Sequence, residues 1–164
     1  MYTTVLVLHS WLRWAVIVAG VLAVGSTLMP RTSTPPGPAS PPGASGVADP
    51  ADRWGLVFMI TLDLQMLFGL LLYFALSPVT AAIFNDFGGA MKDPVARFWA
   101  VEHVGTMMLA VVLAHVGRVL ARKATTPASK RTRLLICFGL SLLAILGGTP
   151  WPGMPAGREL FRGI

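Results

Sequence analysis

Residues 5–28 read VLVLHSWLRWAVIVAGVLAVGSTL, an apolar run broken by one formal charge, Arg13, and one histidine, His9. About 20 mostly apolar residues, rising 1.5 Å each, are enough for a helix to cross the hydrocarbon core of a bilayer. Three further stretches meet the same requirement, from about Trp54 to Leu76, Phe98 to Leu120 and Leu134 to Thr149. The last is the shortest and runs into Pro150, which lacks the N–H that continuing the helix requires. The reading is all-α, a four-transmembrane-helix bundle forming a single domain over residues 1–164. The first span is expected to be retained rather than cleaved, because it has no positive n-region and no small-residue cleavage site.

Composition supports this reading. Of 164 residues, 54% are hydrophobic and 12% charged. A water-soluble domain of this length leaves roughly a third of its unfolded surface in contact with solvent, too much for a chain this apolar. The single cysteine, Cys137, excludes an intramolecular disulfide and a cysteine metal cluster, and reads as packing. The net charge of +6 comes from basic residues beside the apolar spans, the pattern of orientation signals rather than of nucleic-acid binding.

The connector at residues 30–50 is rich in Pro, Gly, Ser and Thr and reads as an extended linker. Residues 77–95 and the tail beyond Pro150 carry aromatic and aliphatic side chains among polar ones and are expected at the membrane surface, the former as a short helix. Arg13, Lys92, Arg97, Arg158 and Arg162 fall on one side of the membrane. Arg31, Arg53, Arg118, Arg122, Lys123, Lys130, Arg131 and Arg133 fall on the other. That asymmetry assigns the second side, with the 30–50 linker, to the cytoplasm and both termini to the outer, periplasmic side of a bacterial inner membrane.

Ionisable residues inside apolar spans are expensive and mark function by default. His9 and His103 lie roughly 6 and 7.5 Å into two spans that run in the same direction, hence at nearly one level. Two imidazoles at one depth on two helices of a bundle suit axial ligation of a haem iron, and equally suit two histidines hydrogen-bonded within the bundle. Arg13 follows His9 by one turn and can pair with a haem propionate or with Glu102. Arg97 is a second candidate for a propionate, or an interfacial anchor. His115 lies roughly 18 Å deeper than His103 and cannot share its iron, so it reads as a core or interfacial residue beside Arg118. Asp63 and Gln65 sit mid-span, Asp63 as a carboxyl hydrogen-bonded to a neighbouring helix, with a proton relay or quinone contact as the alternative. Met107 and Met108 read as packing, with a soft copper site alongside His103 as the alternative.

Several stretches resemble one family. They are Leu8-His9-Ser10-Trp11-Leu12-Arg13-Trp14, Leu64 to Tyr73, Met91-Lys92, Arg97 to His103 and Pro150-Trp151-Pro152. Together they are similar to small bacterial four-helix membrane proteins labelled cytochrome b, over most of the chain outside the Pro-rich linker. The resemblance implies haem b, with His9 and His103 at the positions of that family's histidines. Some members carry a histidine where this chain has Asp63, so no ligand role transfers to that position.

The expected function is single-electron transfer through one bis-His haem b, as a subunit of a respiratory or photosynthetic complex. Expected partners are membrane lipid, other membrane subunits, and a quinol or a periplasmic redox protein. No nucleophile–base pair or phosphate loop suggests independent catalysis. The alternative is a non-catalytic structural or pigment-binding subunit, its helices brought close by small residues such as Gly20, Gly25, Gly105 and Ala110.

Overall fold

The computed structural model describes residues 1–29 and 49–161, and among these every regular element is helical. In chain order they are α1 (Tyr2–Leu28), α2 (Pro50–Leu71), α3 (Pro78–Asn85), α4 (Phe87–Ala90), α5 (Pro94–Arg97), α6 (His103–Arg122) and α7 (Pro127–Gly148). A π-helical turn at Leu72–Leu76 prolongs α2, and a second at Phe98–Glu102 joins α5 to α6. Four continuous helices, Tyr2–Leu28, Pro50–Leu76, Pro94–Arg122 and Pro127–Gly148, are long and apolar enough to span a membrane. The chain is a multi-pass membrane protein in that sense. The Pro-rich linker, apart from its last two residues, lies outside the described residues.

Hydropathy places the later helix starts too far along. Trp54, Phe98 and Leu134 are the expected first residues, whereas the helices begin at Pro50, Pro94 and Pro127. One device sets each start: a capping side chain followed by proline at the first helical position. Asp49, Asp93 and Thr126 accept from the backbone N–H of Ala51, Ala96 and Ser129 at 3.3, 2.6 and 3.1 Å. Ser77-Pro78 opens α3 in the same way. The segment expected to form one surface helix is divided into α3, α4 and α5, because Asp86 caps a new helix by accepting from Gly89 N–H at 2.9 Å.

α1 packs on α2 and α7, and α6 packs on α7 and more thinly on α2. The ring order is therefore α1–α2–α6–α7, which puts α1 and α6 on a diagonal. Bulky side chains of α2 and α7 (Phe58, Leu62, Leu134, Phe138) fill the centre against alanines of α1 and α6 (Ala19, Ala23, Ala110, Ala114). Phe58 and Phe138 meet edge to face with ring centres 5.5 Å apart. Ser141 Oγ donates to the Ala110 carbonyl at 2.7 Å, tying α7 to α6 through a fully buried bond. At Gly117 a Cβ would stand 2.4 Å from Cβ of Cys137, so the glycine permits the close α6–α7 approach and the buried cysteine fills it.

The rest of each helix faces outward. Only 22% of the most apolar window of each of the first three spans, and 33% of the fourth, is buried inside the protein. An apolar surface that large is compatible with lipid and not with water.

Where α1 and α6 end and α2 and α7 begin, the charged residues bind the bundle together. Asp52 receives Arg118 Nη1 at 3.2 Å and Lys130 Nζ at 2.5 Å. Arg131 donates to the Thr27 carbonyl at 2.9 Å and to the Met29 carbonyl, and Arg133 donates to the Leu120 carbonyl at 2.7 Å. These two arginines occupy C-terminal carbonyls that α1 and α6 leave without helical partners. They serve the fold as well as the charge asymmetry.

Candidate functional site

At the other end the bundle opens. The first turns of α1 and α6 and the last turns of α2 and α7 surround a cavity whose walls include His9, Arg13, Gln65, Gly69, Trp99 and His103. His9 from α1 and His103 from α6 reach across the diagonal, and their ring centres lie 6.5 Å apart with planes inclined at 75°. The equal depth read from the sequence corresponds to two side chains that face each other.

Each imidazole is positioned by a neighbouring helix. His103 Nδ1 lies 2.8 Å from the Gly148 carbonyl at the end of α7. A carbonyl can only accept, so Nδ1 carries the proton and, in the neutral ring, Nε2 keeps its lone pair, the arrangement common behind metal-ligating histidines. Phe98 and Trp99 flank the same ring, with centres 5.7 and 5.5 Å away. His9 Nε2 lies 3.3 Å from Gln65 Nε2, while its Nδ1 is buried without a partner, as is Gln65 Oε1. Gly69, one turn after Gln65 on α2, is the reason His9 can lie flat there: a Cβ at Gly69 would come within 3.2 Å of His9 Cε1.

The π-turn before His103 changes which residues share a face with it. At 3.6 residues per turn, positions five apart stand about 140° apart. In the wider i→i+5 turn they come together. Arg97 Nε therefore meets Glu102 Oε1 at 2.7 Å on the exposed surface. Neither residue lines the cavity, so Arg97 is not brought to the histidines and Glu102 is not the partner of Arg13. The two π-turns are also joined to each other, since Tyr73 Oη donates to the Ala100 carbonyl at 2.5 Å.

Arg13 is buried and does line the cavity. Its Nη2 donates to the Leu160 carbonyl at 2.7 Å, and its Nε is buried without a partner. Trp14 Nε1 donates to the same carbonyl at 3.3 Å, and Phe161 stacks on Trp14 with centres 5.5 Å apart. The tail thus folds back over the open end, instead of merely resting at the membrane surface. It turns at Gly153, whose φ of 88° suits glycine, and brings Arg158 and Glu159 into the cavity wall. Arg158 lies over the Trp99 ring at 5.1 Å. It is the second cation of the cavity wall, while Arg97, read as a propionate partner or an interfacial anchor, stays at the surface. No spacing rule could reveal it, because its position depends on the tail's tertiary turn.

The remaining candidates divide. Met107 lines the cavity, whereas Met108 is exposed on the outer face of α6. His115 and Asp63 lie outside the cavity wall, on other faces of the helices that line it, and pair with each other at 3.5 Å. Arg118, expected beside His115, instead serves Asp52.

Two imidazoles on one bundle diagonal form a donor set that lacks further protein ligands. Among the described residues no group of three His, Cys, Asp or Glu side chains could hold a metal ion. The pair suits a metal whose other ligands come from a macrocycle. Two rings bonded to one metal at about 2.0–2.1 Å from each nitrogen would have centres roughly 6 Å apart, close to the spacing here. Nε2 of His103 has no hydrogen-bond partner among the described residues and two cations stand near the mouth, whereas Gln65 would have to release Nε2 of His9 for that ring to hold a haem. Comparison with protein-family models, with curated proteins and with solved structures finds no match to this chain, so the reading rests on its own residues.

Proposed function

We propose that this chain is a b-type cytochrome of the bacterial inner membrane, with both termini on the outer side and one haem b held between His9 and His103. The observation that carries the reading is the pair of imidazoles facing each other across the bundle diagonal at 6.5 Å. When bound, the haem supplies a one-electron redox couple.

The chain's residues do the rest. The Gly148 carbonyl fixes the tautomer of His103 so that Nε2 is free to ligate. Gln65 holds His9 from α2 through Nε2, the nitrogen it would release on ligation, and Gly69, lacking a Cβ, lets the His9 ring pack closely on α2. Arg13 and Arg158, near the mouth, offer guanidinium groups for carboxylates. The folded-back tail is held at that end of α1 by ring contacts of Phe161 with Trp11 and Trp14. Electrons would pass to or from a quinol or a periplasmic redox protein, with the chain acting as a subunit of a larger respiratory or photosynthetic assembly.

The test is the absorption spectrum of the purified protein, oxidised and then reduced. A six-coordinate, low-spin haem that does not bind carbon monoxide is expected. A protein that purifies without haem, or whose spectrum survives loss of both histidines, overturns the cytochrome reading in favour of a structural subunit. A chlorophyll-type spectrum would point instead to pigment binding.

A further inference from the structure

We infer that the outward seam between α2 and α6 is the interface of a homodimer, with Asp63 and His115 at its centre. Asp63 stands thirteen residues from either end of Pro50–Leu76, which places it at the middle of its span. His115 Nε2 meets Asp63 Oδ2 at 3.5 Å across the seam, and its Nδ1 donates to the Val111 carbonyl at 3.0 Å. Yet the side chains of His115 and Asp63 are 44% and 49% exposed on the outside of the bundle. Ile60 and Leu67 flank Asp63, and Val112 and Val119 flank His115, all exposed. An ionisable pair turned toward lipid at mid-membrane is costly, and such groups face protein or a water-filled cavity almost without exception. The cavity at the histidine end does not include them.

The charge pattern identifies the occupant. The seam presents one acid beside one imidazole at a single depth. A two-fold axis along the membrane normal preserves depth, so the Asp63–His115 pair of one copy stands opposite that of the other. The free carboxylate oxygen of each Asp63 then faces the other copy's Nε2–H, and the flanking aliphatic side chains cover both pairs. Any other subunit would need a matching base and acid at the same level, which a second copy carries by construction. The inference is independent of the haem.

The experiment uses the full chain in native membranes and in detergent. In a Cys137→Ala background, Leu67→Cys and Val112→Cys should each give an oxidative cross-linked dimer. Leu143→Cys, on the outer face of α7, should not. The purified protein should have twice the chain mass. Asp63→Leu and His115→Leu should each weaken dimerisation roughly tenfold or more. The reciprocal exchange, Asp63→His with His115→Asp, should restore it and so separates lost pairing from misfolding. Three outcomes overturn the proposal: a monomer with no cross-link at either seam position, equal cross-linking at Leu143, or a different protein bound stoichiometrically over the seam.

Discussion

The two ends of this bundle handle polar groups in opposite ways. Where α1 and α6 finish, Asp52 takes two cations, and Arg131 and Arg133 occupy helix-end carbonyls. Where they begin, buried nitrogen and oxygen atoms are left open. Of the four buried side-chain polar atoms without a partner among the described residues, His9 Nδ1, Arg13 Nε and Gln65 Oε1 belong to the cavity end, and only Arg118 Nε to the other. A buried polar atom left unpaired destabilises a fold by about 1–3 kcal/mol. One end is therefore organised for stability, and the other leaves three buried polar atoms without a partner among the described residues.

The largest effect that could break this contrast is at His103. His103→Ala should abolish the low-spin spectrum while leaving helix content by circular dichroism unchanged, because among the described residues the ring's hydrogen bond is to a terminal carbonyl of α7. Unfolding on that substitution would show that the cavity end, too, is structural. The second effect belongs to the charged end. Asp52→Asn removes the charge that Arg118 and Lys130 share, and should lower stability by about 1–3 kcal/mol, read as a lower thermal midpoint, with the haem spectrum unchanged.

A smaller effect sharpens the boundary. Gly69→Ala places a methyl 3.2 Å from His9 Cε1, so the ring must move by a few tenths of an ångström. Haem occupancy should fall severalfold while the thermal midpoint of the haem-free protein stays within a few degrees of the parent. The smallest effect is in the linker. Deleting residues 35–45 should leave cofactor content intact and change stability by under about 1 kcal/mol, because loop-closure entropy varies slowly with length. Loss of the folded protein would show that the segment docks on the bundle.

The four spans were legible because hydropathy depends only on composition over a window. Their starts were less so, since Asp49-Pro50, Asp93-Pro94 and Thr126-Pro127 lie in polar sequence that a hydropathy window discards. Reading the cap–proline pair would have found them. The juxtaposition of His9 and His103 followed from depth alone. The pairing of Arg97 with Glu102 was not legible, because it depends on the π-helical turn at Phe98–Glu102. The partnership of Asp63 with His115 needed the rotation of α2 against α6, which is set by packing and leaves no local signature.

The diagonal placement of the two histidines has a consequence for biogenesis. Their side chains are contributed by the first and third spans, and the carbonyl that orients His103 is the last residue of the fourth. No intermediate in which only two spans have entered the bilayer contains the pair, and none lacking the fourth holds His103 in its final tautomer. On the proposed function, cofactor capture would come after the fourth span has entered the membrane, as a late maturation step open to quality control. A chain stalled before Gly148 would then be inserted and helical without a complete site.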